Sequence, residues 1–313
     1  MRAVSVVEWG QPPAVTEVPE PPAAPGRALV RRRAAALNPV DVAIGSGRFY
    51  MPLPEPPFVA GAEAVGEVIS SVTHPTGTRV WCLPVTGAFG EVVSAPEETL
   101  VPVPDGLDDA LAVCLGVAGL AGWMPVRHRG RLAPGETVVI LGAGGAVGQV
   151  AIQAARMGGA RWVVGVARSA SGRERALHLG ADVVLPTGEG LPQGLREACG
   201  GGADLVVDCL WGASAAAAIG VLRRGGRLVQ VGSAESPSME VVAGPLRGRR
   251  IDVLGFSVLV EDPAAVRAAY TELAAVAANG EVTMDLETVP FEQAGAAWAR
   301  QIAGTAGRKL VLV

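Results

Sequence analysis

The segment 138–156, VVILGAGGAVGQVAIQAAR, constrains the fold more than any other stretch of this chain. A buried-type apolar strand runs directly into Gly142, Gly144, Gly145 and Gly148 and then into an amphipathic helix. Glycines let the backbone turn tightly and approach a pyrophosphate closely. The helix start at Ala146 and Val147 then offers unpaired N–H groups and a positive dipole end to the phosphate charge. A strand, glycine turn and helix in direct succession predict dinucleotide binding; a tight turn used only for packing is the alternative.

The surrounding chain supplies the rest of such a fold. From about Asp108 onward strands alternate with helical patterns: TVVIL, a helix over 147–157, RWVVGVA, a helix over 173–179, ADVVL, ADLVVDCL, a helix over 214–222 and RLVQVG. This predicts a doubly wound parallel sheet with helices on both faces, a Rossmann-type α/β domain, and its strands are nearly all apolar as two-sided burial requires. The first hundred residues instead read as short strands between Gly and Pro clusters, a β-rich lobe. After IDVLGFSV come a helix over 263–278, a strand near 287–290, a helix over 291–302 and a terminal strand, RKLVLV. That last strand needs a sheet to join. The simplest topology returns it to the N-terminal lobe, which makes a β-rich domain of residues 1–114 plus 257–313 interrupted by a nucleotide domain over 115–256.

The end of the second nucleotide-domain strand discriminates between cofactors. NAD folds place an acid there for the ribose 2′-hydroxyl, whereas an Arg accommodates the 2′-phosphate of NADP. Here VVGVARSASGR carries no acid, and Arg168, Ser169 and Arg173 stand instead, which favours NADP(H). Further strand ends, at Val231, Gly232 and Ser233 and at Gly255, Phe256 and Ser257, are expected to line the nicotinamide pocket, because ligands of open α/β sheets sit outside the carboxyl ends of strands.

Composition narrows the partners. With 26 Lys+Arg against 30 Asp+Glu the net charge is −4, so no basic field draws the chain to nucleic acid or anionic lipid. Lys309 is the only lysine, a bias with the look of genome composition. Cys82, Cys114, Cys199 and Cys209 never approach CxxC spacing and read as reduced thiols, consistent with a cytoplasmic protein. Two uncharged runs, 110–126 and 137–155, are glycine-rich and read as buried soluble elements, not membrane spans.

Taken in order, ALNPVD, FVAGAEAVGEV, GAFGEVV, LAPGETVVILGAGGAVG, LRRGGRLVQVGSA and GRKLVLV resemble the medium-chain dehydrogenase/reductase superfamily over essentially the whole chain. Within it the chain looks most like the zinc-independent quinone oxidoreductases, whose glycine pattern is matched by Gly142, Gly145 and Gly148. The resemblance implies a discontinuous GroES-like catalytic domain around the Rossmann domain, and a homodimer. Zinc alcohol dehydrogenases of the superfamily have a ligand Cys and a ligand His where this chain has Asn38 and Ala62, so of the ligand positions only Glu63 remains and no metal is expected. Without a Lewis acid, the favoured substrates are already activated for hydride acceptance: quinones and enones. Asn38 is the first candidate to donate a hydrogen bond to the acceptor's oxygen, although Asn followed by Pro39 is also a helix start. Tyr50, in a segment resembling the family's substrate loop, is the second. Arg308 and Lys309 resemble the family's closing element, with Arg308 placed at the cofactor. The rival readings are an enoyl or enone reductase, including one acting on a thioester, and a non-catalytic NADPH-binding regulator.

Overall fold

A computed structural model describes residues 1–313 and divides them into two compact units, residues 1–118 with 262–313, and residues 119–261. The first unit opens with β1 (Arg2–Val6), β2 (Ala14–Glu17), β3 (Arg27–Ala36), α1 (Pro39–Gly45) and β4 (Phe58–Val59). It continues through β5 (Ala64–Ser70), β6 (Arg79–Cys82), β7 (Val92–Pro96), β8 (Val101–Pro102) and α2 (Asp109–Cys114). The second unit contains α3 (Leu120–Met124), β9 (Thr137–Leu141), α4 (Ala146–Met157), β10 (Trp162–Val166), α5 (Ala170–His178) and β11 (Val183–Leu185). Then follow α6 (Leu191–Cys199), β12 (Ala203–Asp208), α7 (Gly212–Val221), β13 (Leu222–Gln230), α8 (Ala243–Arg249) and β14 (Asp252–Gly255). The chain returns to the first unit with α9 (Pro263–Ala278), β15 (Leu286–Val289), α10 (Ala294–Ile302) and β16 (Lys309–Leu312).

The second unit is a six-stranded parallel sheet in the order β11-β10-β9-β12-β13-β14. Its two central strands, TVVIL and ADLVVD, are buried at every residue, because helices cover both faces. The direction of winding reverses between β9 and β12, and such sheets bind ligands beyond the carboxyl ends of the strands at that reversal.

In the first unit β16 lies inside a sheet, parallel to β15 and antiparallel to β3, with Val311 opposite Ala36. Leu310 and Leu312 thereby enter the same core as Val30, Ala35, Val80 and Phe89. A second sheet, β2-β1-β4, packs beside it.

Of three local features that bear on the sequence reading, the start of α5 departs from it. Residues 191–199, for which the sequence reading named no element, form α6: Pro192 falls in the first turn, where no N–H is needed, and Leu191, Leu195 and Cys199 bury one stripe. Helix α5 begins at Ala170, ahead of Arg173, because Ser169 caps it, its Oγ accepting from Gly172 N at 3.0 Å. The segment 109–129 is long and apolar enough to cross a membrane, yet 83% of its apolar window is buried in the protein, and Gly116 kinks it (φ −64°, ψ −109°).

Candidate active site

Leu141 ends β9, and Gly142 turns the chain at φ +83°, a conformation that favours glycine. The N–H groups of Gly142 and Ala143 both donate to Val166 O, at 3.0 and 2.9 Å, tying the loop to the end of β10. A Cβ on Gly148 would meet Gly142 O at 2.3 Å, so this glycine lets α4 close onto its own loop. A Cβ on Gly144 would meet Gly172 Cα at 2.7 Å, so that glycine admits the start of α5. Gly145 differs: its backbone is extended (φ −82°, ψ 168°), and a Cβ would meet only Gly142 O, at 3.4 Å. No side chain caps α4 there, leaving the first-turn N–H groups of Ala146, Val147 and Gly148 open to a ligand. These residues fit a dinucleotide pyrophosphate, which would take the space beside Gly145 and the N–H groups behind it.

Arg168 stands two residues beyond the end of β10, after the buried Ala167, and is exposed. Arg173 instead folds back, with Nη1 donating to Arg168 O at 2.8 Å and to Ala167 O at 3.3 Å. Arg175, which sequence reasoning did not single out, donates from Nη1 to Gly144 O at 2.9 Å and so braces the glycine loop from α5. Val231 N and Gly232 N both donate to Asp208 O, at 2.8 and 3.2 Å, which sets Val231, Gly232 and the following Ser233 at the sheet's carboxyl edge. Phe256 N donates to Gln230 O at 2.9 Å, and Gly255 O accepts from Arg129 Nε at 3.2 Å, so Gly255, Phe256 and Ser257 close that edge one strand further on.

Asp208, the last residue of β12, was also not anticipated. Its Oδ1 accepts from Leu210 N and Trp211 N at 2.8 and 2.9 Å, while its buried Oδ2 has no partner. Burial pushes the carboxyl up to about 6. Trp211 lies at φ 61°, ψ −158°, a region otherwise kept for glycine, and the Asp208 carboxylate pins it there.

In the β-rich unit a closed polar network centres on Asn38, which is 1% exposed. Asn38 Nδ2 donates to Ala36 O at 3.1 Å and to Glu63 Oε1 at 2.9 Å, and its Oδ1 accepts from Lys309 Nζ. Both amide hydrogens are thus engaged inside the protein, and the side chain reaches no solvent-facing acceptor. Lys309 Nζ also donates to Leu37 O at 2.8 Å. Glu63 Oε2 accepts from Trp81 Nε1 at 2.9 Å and Val117 N at 2.7 Å, and a Cβ on Gly116 would lie only 2.0 Å from that oxygen. Asp41 accepts from Asn38 N at 2.6 Å and Ala62 N at 2.8 Å, the reciprocal half of a capping box for α1. Tyr270 stacks on Trp81, centroids 4.5 Å apart, and donates to Ala112 O at 2.9 Å.

Two carboxylates and one ammonium therefore share a dry interior. Burial raises both acids, Asp41 to about 7, against the pull of Lys309 and the donated hydrogen bonds. The folded chain keeps the Asp41 proton up to about pH 7, whereas the unfolded chain loses it near the ordinary 3.8; Asp208 behaves likewise up to about 6. Stability is therefore expected to fall as pH rises from 5 to 7.5, by on the order of 3 kcal/mol for the two groups together. Urea midpoints across that range check it: a flat or rising profile contradicts the assignment, and Asp208→Asn should roughly halve the slope below pH 6, leaving the share of Asp41.

The donor set does not fit a catalytic zinc. Neither Asn38 nor Ala62 supplies a ligand, and both Glu63 oxygens are already accepting hydrogen bonds. Tyr50 sits elsewhere, on the loop after α1, 66% exposed with its ring 4.2 Å from that of Phe49. Arg308 is exposed and paired with Asp285 at 3.1 Å.

Comparison with known proteins matches the alcohol dehydrogenase GroES-like domain over residues 24–105 and the zinc-binding dehydrogenase domain over residues 146–275. Quinone oxidoreductase of Rattus norvegicus is 29% identical over 269 residues, 82% of this chain and 80% of that protein. The Mus musculus protein is 30% identical over 245 residues, 74% and 73% of the two chains. A mycocerosic acid synthase-like polyketide synthase of Mycobacterium tuberculosis is 28% identical over 306 residues, 93% of this chain but 14% of that much longer protein. Among solved structures, quinone oxidoreductase from Thermus thermophilus, also determined in complex with NADPH, superimposes with a TM-score of 0.83 at 30% identity, covering 100% of this chain and 99% of that one. With both domain families in chain order and a 30% identical relative spanning three quarters of its length, this chain belongs to the quinone oxidoreductase-like family of medium-chain dehydrogenase/reductases and is an oxidoreductase.

Proposed function

We propose that the protein transfers hydride from NADPH to a quinone or related activated carbonyl compound, without zinc. The observation that carries the cofactor choice is Arg168, exposed two residues beyond β10 where no acid stands to hold a ribose hydroxyl. Its guanidinium pairs with the 2′-phosphate, and the open backbone from Gly145 to Gly148 holds the pyrophosphate. Bound NADPH supplies the hydride from its nicotinamide ring. Val231, Gly232, Ser233, Gly255, Phe256 and Ser257 shape the pocket for that ring. Tyr50 is the exposed hydroxyl offered to the oxygen that gains charge, while Asn38, its amide hydrogens already used, holds the junction between β3 and α1. Arg308, paired with Asp285, stands as a further candidate for the cofactor's charge.

A second reading, reduction of an enone or of an unsaturated thioester, draws support from the polyketide synthase match over 306 residues. Loss of NADPH absorbance with EDTA-treated protein separates the readings, using 1,4-benzoquinone, a naphthoquinone, a simple enone and a crotonyl thioester. Quinone turnover preferring NADPH over NADH supports the proposal, and turnover on the enone or thioester alone selects the second reading. NADPH binding with no consumption leaves a regulator, and activity lost to the chelator defeats the zinc-free reading.

We place the protein in the cytoplasm, where its four free cysteines remain thiols. We also propose a homodimer through β14, which pairs only with β13 and presents an open, exposed edge. Light scattering is expected to give about twice 31.8 kDa. Val253→Pro, at the centre of that edge, is expected to give the monomer; a monomeric wild type contradicts the assignment.

A further inference from the structure

We propose that a crevice of about 390 Å³ in the β-rich unit binds an amphipathic monoanion, an apolar chain or ring carrying one carboxylate. The crevice lies between β1 and β4 of the three-stranded sheet, at Ser5, Phe58 and Val59, and β7, which pairs only with β3, at Val92 and Ser94. It shares no residue with the glycine loop, with Arg168 or with the Asn38 network. Its volume falls within the range of small-molecule sites.

The walls set the ligand class. Val18, Pro57, Phe58, Val59 and Val92 line it with apolar surface, which calls for an apolar body. Of its thirteen lining residues none is acidic, and Arg27 is the one cationic side chain. Arg27 is held in place by neutral partners only, Nε donating to Ser94 Oγ at 2.8 Å and Nη2 to Ser94 O. No carboxylate forms an ion pair with it: Glu91 pairs with Arg2 at 2.9 Å, and Glu97 accepts from Ser71 Oγ at 2.6 Å and Val72 N at 2.8 Å. A guanidinium pre-positioned beside an apolar crevice and lacking a counter-ion suits a carboxylate, which can take two parallel N–H donors, better than a cation or a neutral lipid.

Octanoate, octylammonium and 1-octanol are the probes, titrated calorimetrically into the full chain. Octanoate is expected to bind about tenfold more tightly than the other two, and Arg27→Gln to erase that difference while leaving the affinity for NADPH unchanged. Thr86→Trp, which fills the crevice from its rim, is expected to abolish octanoate binding. No saturable binding by about 1 mM, equal affinity for octanoate and octylammonium, an unchanged Arg27→Gln variant, or displacement of octanoate by NADPH would each overturn the proposal.

Discussion

Lys309→Met is expected to cost about 3–5 kcal/mol of folding stability, the largest loss from any single exchange of a charged residue in this chain. The ammonium donates to Leu37 O and to Asn38 Oδ1, and Asn38 passes the constraint on to Glu63. Removing it leaves a carbonyl and an amide oxygen without a donor, and two buried acids without a counter-charge. Lys309→Arg is also expected to destabilise. The other cationic side chains of this protein are all arginine, but a planar five-donor fork cannot occupy a site shaped for one point charge between two oxygens. The discriminating variant is Lys309→Met with Glu63→Gln, which removes charge from both ends while the introduced amide oxygen still accepts from Trp81 Nε1 and Val117 N. Chemical denaturation should show the double variant recovering much of the loss. If it loses as much as the sum of the two single variants, Lys309 acts through packing alone. The deficit of Lys309→Met should also shrink at low pH, because burial already favours the neutral form of Glu63.

Gly145→Asp is expected to weaken NADPH binding by at least about 100-fold while leaving the melting temperature within about 2 °C of wild type or raising it. The backbone there is extended, and a Cβ meets nothing closer than Gly142 O at 3.4 Å, so a side chain is tolerated. Aspartate at this N-cap would accept from the first-turn N–H groups of α4, stabilising the helix by the same contacts a phosphate would use. Fold and function are thereby separated at one atom. Gly148→Ala is the counterpart: its Cβ strikes Gly142 O at 2.3 Å, so stability falls together with binding. Thermal melts and NADPH fluorescence titrations on the two variants check the pair. A Gly145→Asp protein that binds NADPH normally removes the phosphate from this helix end.

Those two sites were unequally legible. The glycine loop, the parallel sheet and the return of the last strand are local patterns: a covered strand must be apolar, a phosphate turn must be glycine, and LVLV must pair with something. The Lys309 network is not local. It joins residues 38, 63, 81, 117 and 309, and nothing in their spacing brings them together. Asn38 illustrates the limit, since its identity suggested a hydrogen-bond donor for a substrate while tertiary packing uses both of its amide hydrogens internally. The solitary lysine was the available signal, and composition bias offered an easier account of it. Trp211 was invisible for a related reason: nothing in DCLWG announces a tryptophan in glycine's region of backbone space, held by an aspartate three residues earlier.

The interior position of β16 also bears on how the protein is made. Residues 1–118 contain most strands of the large sheet, but the strand that seals β3, and the ammonium that neutralises Glu63, arrive only with residues 309–312. At ~5–20 residues per second, synthesis of the intervening chain takes roughly 10–40 s. Throughout that interval the end of β3 at Ala35 and Ala36 lacks one partner strand and the buried acids lack their counter-charge, while residues 119–261 can already fold. The nascent N-terminal segment is consequently the natural client for a chaperone, and a stalled or C-terminally clipped chain is a natural target for proteolysis.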